Sequence, residues 1–199
     1  MSVWINTFML KLYFLLVGVK FGKNLMCVSF PRILFIDCKK SNLIIGNNVV
    51  FNGKVEIKIK NLSKIILGNN VKIDQGVRLI ASNGSQLEIK HNSKVMFYSQ
   101  INAGEDITIG PYSGISSNTT ITSSAHNHLE GKNYIETNYT HKKIYIGKNV
   151  QIGTSCFISP GSHISNDVIV APLSYVFGKL ESKYIYKGNP ALKISPKYL

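Results

Sequence analysis

Aliphatic residues return at every sixth position between residues 144 and 176, namely at Ile146, Ile152, Ile158, Ile164, Val170 and Val176. An α-helix repeats its apolar positions about every 3.6 residues and a single strand every two, so neither has this period. A solenoid with three short strands per coil does, because each side of the coil then contributes one aliphatic side chain at the same height of a stacked core. The pattern therefore predicts a β-helix.

Earlier coils are longer. Each opens with a pair of apolar residues, and these openings lie 22 residues apart: Leu43/Ile45, Ile65/Leu67 and Leu87/Ile89. After Ile121 the next hexad begins 25 residues later, at Ile146, where direct continuation needs six. Residues 122–145 are therefore predicted to leave the coil as a loop and return to it. Loops on a rigid scaffold are where chemistry is usually placed.

The chain begins with a strongly apolar stretch, residues 3–19, interrupted by Lys11. It is short for a membrane span and has no small-residue cleavage site. One interpretation is a helix that caps the open end of the solenoid. The other is a helix on a bilayer surface, where Lys11, Lys20 and Lys23 would face anionic head groups. The predicted organisation is residues 1–20 as this segment, 21–180 as the β-helix and 181–199 as a C-terminal tail.

The hexads carry a family resemblance. Together with Ile146-Gly-Lys-Asn-Val-Gln-Ile-Gly and Lys187-Gly-Asn-Pro-Ala-Leu-Lys-Ile, they resemble the hexapeptide-repeat acyltransferases over about residues 21–196, and most closely the sugar O-acetyltransferase branch. The resemblance implies a left-handed parallel β-helix, a homotrimer, and acetyl-CoA bound at the subunit interfaces. It further implies that an acetyl group moves to a hydroxyl of a sugar or surface-polysaccharide precursor, in the cytoplasm or at the inner face of the membrane.

The same resemblance assigns the candidate residues. An alcohol is a very weak acid, so its attack on a thioester needs a base, and histidine supplies about 10²–10⁴ in rate near neutral pH. The family's catalytic histidine corresponds to His126, with His128 and Asn102 as acceptor contacts; Asn102 could equally bond the backbone at a corner. The matching CoA contacts are Gly153, Thr154, Pro172, Lys187 and Lys193.

Three departures from the family pattern affect single CoA contacts. Gln151 stands where the family usually has Trp, Phe177-Gly178 replaces Thr-Lys, and Leu192 separates Ala191 from Lys193. With no Ser-His-Asp pattern in the sequence, direct transfer in a ternary complex is expected rather than an acyl-enzyme.

The net charge and the spacing of the cysteines restrict which ligands and metal sites are expected. The 23 Lys and Arg against 10 Asp and Glu suit CoA phosphates, an anionic glycan or a membrane face. Nucleic acid is not expected, because the lysines are not clustered with interleaved aromatic residues. Cys27, Cys38 and Cys156 lack zinc-like spacing, and Cys156 falls on an inward hexad position, where a buried thiol is expected.

Other functions remain open. Within the acyltransferases the rival is an N-acetyltransferase of an amino-sugar nucleotide. From a different class, a β-helix metal hydratase would use His126, His128 and His163 as ligands, and a structural solenoid would have no activity. The O-acetyltransferase prediction expects no metal.

Overall fold

A computed structural model describes residues 2–127 and 131–198, without the side chain of Tyr134. Over these residues the chain forms helix α1 (Val3–Val17), short 3-10 turns at Lys40–Asn42 and Tyr134–Glu136, and a long series of strands joined by short turns. The strands before the inserted loop are β1 (Lys20–Phe21), β2 (Met26–Cys27), β3 (Arg32–Ile36), β4 (Leu43–Ile45), β5 (Val50–Phe51), β6 (Glu56–Lys60), β7 (Lys64–Leu67), β8 (Lys72–Ile73), β9 (Arg78–Ala81), β10 (Gln86–Ile89), β11 (Lys94–Val95), β12 (Gln100–Ala103), β13 (Ile107–Ile109), β14 (Gly114–Ile115) and β15 (Thr120–Thr122). Those within and after the loop are β16 (Ser124–His126), β17 (Tyr139–His141), β18 (Ile144–Ile146), β19 (Gln151–Ile152), β20 (Phe157–Ile158), β21 (His163–Ile164), β22 (Ile169–Val170), β23 (Tyr175–Val176), β24 (Lys179–Leu180), β25 (Tyr184–Lys187) and β26 (Leu192–Pro196).

The predicted β-helix is confirmed, with successive strands of a coil belonging to three different parallel sheets. Sheet 1 has the order β1-β4-β7-β10-β13-β18-β21-β24, and sheet 2 has β2-β5-β8-β11-β14-β19-β22-β25 with β26 antiparallel at its end. Sheet 3 has the order β3-β6-β9-β12-β15-β20-β23. Each coil therefore stacks its three sides directly on the coil before it.

The hexad positions form the core. All six aliphatic residues of the series Ile146, Ile152, Ile158, Ile164, Val170 and Val176 are buried, and so are the Leu43/Ile45, Ile65/Leu67 and Leu87/Ile89 pairs. Burying such side chains contributes about 1.5–3 kcal/mol each. Cys156 is also buried, as expected, with its Sγ 3.2 Å from the carbonyl oxygen of Ala171.

Asparagines stack at the corner between sheets 1 and 2. In four successive coils the amide of one asparagine donates to the next, along Asn24, Asn48, Asn70 and Asn92, over 2.8–3.0 Å. All four have a positive φ of 56–58°, a left-handed conformation that asparagine tolerates better than most residues. Their side chains therefore keep the corners of neighbouring coils stacked in register.

Helix α1 lies across the first coil. Leu10 and Phe14 are fully buried against it, and the ring of Phe14 lies 5.8 Å from that of Phe21. The edge strand β2 has no strand below it, and two polar helix residues bond its backbone instead. Thr7 Oγ1 accepts from the N–H of Cys27 at 3.0 Å, and Asn6 Nδ2 donates to the carbonyl oxygen of Val28 at 2.6 Å.

The opposite side of α1 is apolar and open. Trp4 is 85% and Leu16 77% exposed, and Ile5, Phe8, Met9, Leu12 and Leu15 are exposed beside them. Among the described residues, no helix has both the length and the hydropathy of a membrane span.

Candidate functional site

The inserted loop is a β-hairpin at the corner between sheets 3 and 1. Strands β16 and β17 pair antiparallel, with Ser124 opposite His141 and His126 opposite Tyr139. The coil then resumes at Ile144, which pairs with Ile107. Because directly opposed residues of an antiparallel pair share a face, these four side chains lie on one face of the hairpin.

His126 is half-buried on that face. The centroid of its ring lies 3.9 Å from that of Tyr139, with 42° between the planes, and its Nδ1 is shielded from solvent. The sequence places this histidine at the start of the excursion, and the structure packs its ring against the returning strand. His128, which the resemblance gives as an acceptor contact, lies outside the described residues.

A second histidine of the site was not predicted. The Nδ1 of His141 lies 2.8 Å from Ser124 Oγ, and its Nε2 lies 3.4 Å from Asn83 Nδ2, which belongs to an earlier coil. Gly104 permits this approach, because a Cβ there would overlap the Ser124 hydroxyl and lie 2.9 Å from His141 Nδ1. The sequence could have indicated His141 if the loop had been read as an antiparallel hairpin, because its returning strand then lies beside the strand that carries His126.

The returning end of the hairpin is anchored on Asp106. Its Oδ2 accepts from Lys143 Nζ at 2.9 Å, its Oδ1 accepts from the N–H of Gln86 at 2.9 Å, and its carbonyl oxygen accepts from the N–H of Ile144 at 2.9 Å. Partial burial alone would raise the pKa of Asp106, but the hydrogen bonds from Lys143 and Gln86 outweigh it and leave the pKa lowered.

Asn102 lies close to the start of the hairpin. Its neighbours Ile101 and Ala103 are buried, so its side chain faces outwards from sheet 3, in register with Thr122 of the next coil. Its Oδ1 is shielded from solvent and accepts no hydrogen bond within the described part of the chain. This oxygen is thus a buried acceptor without a hydrogen-bond donor among the described residues.

The predicted CoA contacts Gly153, Thr154 and Pro172 are brought together. They form adjacent corners between sheets 2 and 3, and a Cβ on Gly153 would lie 2.5 Å from the nitrogen of Pro172. The N–H of Gly153 donates to Val170 and its carbonyl oxygen accepts from Thr119. Gly153 therefore allows the two corners to stack closely, and its own backbone groups are already paired. Thr154 and Pro172 are exposed.

The two predicted phosphate contacts differ. Lys187 is exposed at the end of β25, whereas Lys193 on β26 forms an ion pair with Glu181 and lies 4.0 Å from the ring centroid of Tyr184. The hydrogen bond that Lys193 donates to Glu181 raises the pKa of Lys193. Lys187 is the freer cation.

The two halves of the predicted site lie on different edges of the solenoid. The hairpin with His126 leaves the corner between sheets 3 and 1, while Gly153 and Pro172 lie at the corner between sheets 2 and 3. One chain does not gather the base and these CoA contacts on one edge. No group of three or more potential metal ligands occurs in residues 2–127 and 131–198, and His163 instead stacks on Tyr145 with centroids 4.9 Å apart.

Comparisons with known proteins agree with this architecture. No family model matches the chain. It is 33% identical over 89 residues to WcaF of Escherichia coli (strain K12), a colanic acid biosynthesis acetyltransferase by name, and equally to WcaF of Shigella flexneri. This match covers 45% of the chain and 47% of WcaF, so it spans about half the length of that protein.

Solved structures share the fold across most of the chain. A mutant of AntD, an N-acyltransferase from Bacillus cereus in complex with dTDP-4-amino-4,6-dideoxyglucose and coenzyme A, has a TM-score of 0.67 at 23% identity, covering 94% of this chain and 88% of AntD. The polysialic acid O-acetyltransferase OatWY has a TM-score of 0.53 at 20% identity, covering 88% of each chain. At these identities the two structures show that the chain shares its fold with an N-acyltransferase and with an O-acetyltransferase.

Proposed function

We propose that the protein transfers an acetyl group from acetyl-CoA to a hydroxyl of a sugar or polysaccharide precursor, with His126 as general base. One observation carries the proposal: the loop that leaves the coil after β15 presents a half-buried histidine, His126, on a face shared with Ser124, Tyr139 and His141. The similarity to WcaF and the sugar substrates named for AntD and OatWY support the sugar acceptor.

The proposed transfer is direct. A ring nitrogen of His126 takes the proton of the acceptor hydroxyl as its oxygen attacks the thioester carbonyl carbon. The tetrahedral intermediate collapses with cleavage of the C–S bond, and the CoA sulfur leaves with the proton held by the imidazolium. The products are an acetyl ester and free CoA, and the base is regenerated.

The separation of the two edges supports the proposed trimer. A second copy, placed with its Gly153 and Pro172 corner against the hairpin of the first, would unite the base with the CoA contacts. A closed threefold arrangement repeats that contact three times. Light scattering tests this arrangement, and an active monomer at micromolar concentration would exclude it.

The experiment for the base compares His126→Ala with His91→Ala, a corner histidine that contacts Tyr112 at 5.4 Å between ring centroids. Release of CoA thiol with a sugar acceptor should fall at least about 100-fold for His126→Ala and stay unchanged for His91→Ala. CoA affinity should be unaffected in both. Retention of more than a tenth of the activity in His126→Ala, with loss in His128→Ala, would contradict the assignment.

An amino-sugar acceptor is the second candidate, because AntD is an N-acyltransferase of the same fold. Product chemistry separates the two: alkaline hydroxylamine cleaves an acetyl ester and leaves an acetamide intact. A product that survives hydroxylamine would replace the O-acetyl assignment with N-acetylation.

We further propose that α1 contacts the cytoplasmic face of a membrane weakly. Its open apolar side, with Trp4 and Phe8, is accompanied by exposed Lys20 and Lys23. Near an anionic leaflet each lysine contributes about 1 kcal/mol. The variant Trp4→Ser/Phe8→Ser spares the buried face, so it should abolish flotation with anionic liposomes and leave the fold intact. A wild-type protein that never floats at low salt would exclude the contact.

A further inference from the structure

A pocket of about 660 Å³ opens between the hairpin and the corners of two earlier coils. Its size falls within the range of about 300–1,000 Å³ that is usual for small-molecule sites. It is lined by Lys60, Asn61, Ser82, Asn83, Ser124, Asn138, Tyr139 and His141. No aliphatic side chain belongs to this lining, so the pocket suits a hydroxyl-rich ligand better than an acyl chain.

The hydrogen bonds around His141 fix what the pocket offers. Asn83 Nδ2 lies 3.4 Å from the carbonyl oxygen of Gly104, which can only accept, so the amide nitrogen is correctly placed as a donor. Its second hydrogen then points to His141 Nε2, which must accept. From these contacts we assign the ring proton to Nδ1, which then donates to Ser124 Oγ at 2.8 Å. The Ser124 hydroxyl keeps its own hydrogen to donate to a ligand.

Lys60 gives the pocket its charge. It ends β6, and Asn61 beside it has φ 49°, which turns the corner there. Among the described side chains Lys60 takes part in no ion pair, and the pocket lining holds no carboxylate. Tyr139, 54% exposed, supplies an aromatic surface for the apolar side of a sugar ring.

We infer that this pocket binds the acceptor as a sugar unit that carries an acidic group, a carboxylate or a phosphate, paired by Lys60. The inference rests on the proposed function, since the pocket adjoins the residue pair His126/Tyr139. This pair is the next one on the same face of the hairpin after Ser124/His141, two residues along each strand. A sugar held by Lys60, Tyr139 and Ser124 would present a hydroxyl towards His126.

Binding without acetyl-CoA tests the inference separately from catalysis. The probes are methyl β-D-glucuronide, glucose 1-phosphate and the neutral methyl β-D-glucoside, and their binding to the 199-residue chain is measured by saturation-transfer NMR and calorimetry. The variants are Lys60→Gln and, as a matched control, Lys64→Gln, which lies on sheet 1 outside the pocket lining. Loss of one charge-assisted hydrogen bond should weaken binding of the anionic probe about tenfold or more in Lys60→Gln only.

The two anionic probes distinguish a carboxylate from a phosphate. The probe whose binding weakens in Lys60→Gln carries the acidic group that the pocket recognises. Equal binding of anionic and neutral probes, no effect of Lys60→Gln, or an equal loss in Lys64→Gln would overturn the inference. If the anionic probe binds through Lys60 but no sugar is acetylated, the proposed function fails and the site stands. If sugars are acetylated but Lys60→Gln does not change binding of the anionic probe, the inference about this pocket is wrong and the proposed function stands.

Discussion

The contact between α1 and the edge strand β2 gives a sharp prediction about stability. The first strand of a parallel solenoid exposes backbone groups that no strand covers. Thr7 resolves this for Cys27, whose N–H donates to Thr7 Oγ1 at 3.0 Å and whose carbonyl oxygen accepts from the same hydroxyl at 3.3 Å. Cys27 is fully buried and Thr7 nearly so, so water cannot replace the lost hydroxyl.

The variant Thr7→Val keeps the side-chain shape and a similar helix propensity. It removes the hydroxyl and leaves a buried N–H without a partner, which costs about 1–3 kcal/mol. That loss corresponds to a roughly 5- to 150-fold shift in the unfolding equilibrium. Thr108→Val is the matched control, because Thr108 faces outwards on sheet 1 beside Glu88 and Tyr145.

Denaturant unfolding at one fixed protein concentration measures the difference, since the proposed trimer makes stability concentration-dependent. Hydrogen exchange of the segment Met26–Cys27 localises it. We expect Thr7→Val to lose stability and this segment to exchange faster, while Thr108→Val matches the wild type. A difference between the two variants below about 0.5 kcal/mol would refute the edge-capping role of Thr7.

Two further predictions follow from local contacts. Asp106→Asn should speed hydrogen exchange across residues 123–143 at neutral pH. Because the pKa of Asp106 is lowered in the fold, the wild type should lose the same stabilisation only as the pH falls below about 4. The variant should lack that pH dependence. Burial raises the pKa of Cys27 and Cys156, so a thiol reagent at about pH 8 should label Cys38 first and the other two only on unfolding; fast labelling of all three would contradict the core described here.

The period of the hydrophobic residues predicts the core well, because each coil must bury one aliphatic side chain per side. Ile146 and Val176 are 30 positions apart and occupy equivalent inward positions, as the hexads require. The break in that period after Ile121 likewise predicts where a loop leaves the coil. Both inferences depend only on the stacking of successive coils, and neither needs knowledge of any other contact between residues distant in sequence.

The pocket residues could not be predicted in the same way. Asn83 and His141 meet across 58 positions of sequence, and their meeting depends on the pairing register of the hairpin, which no periodicity encodes. Lys60 reaches the pocket because the longer coils carry extra corner residues on that edge. The sequence predicts corners at these residues, but it does not predict which corner side chains meet in the pocket.

The stacking of coils also fixes a height. From β3 to β15, sheet 3 takes four steps between neighbouring strands, and each step is about 4.8 Å, so the hairpin stands about 19 Å above the first coil. Helix α1 lies beneath that coil. The solenoid is therefore a spacer of set length between the apolar helix and the two histidines, and inserting or deleting one 22-residue coil would move the site by a single step of about 4.8 Å without disturbing the core.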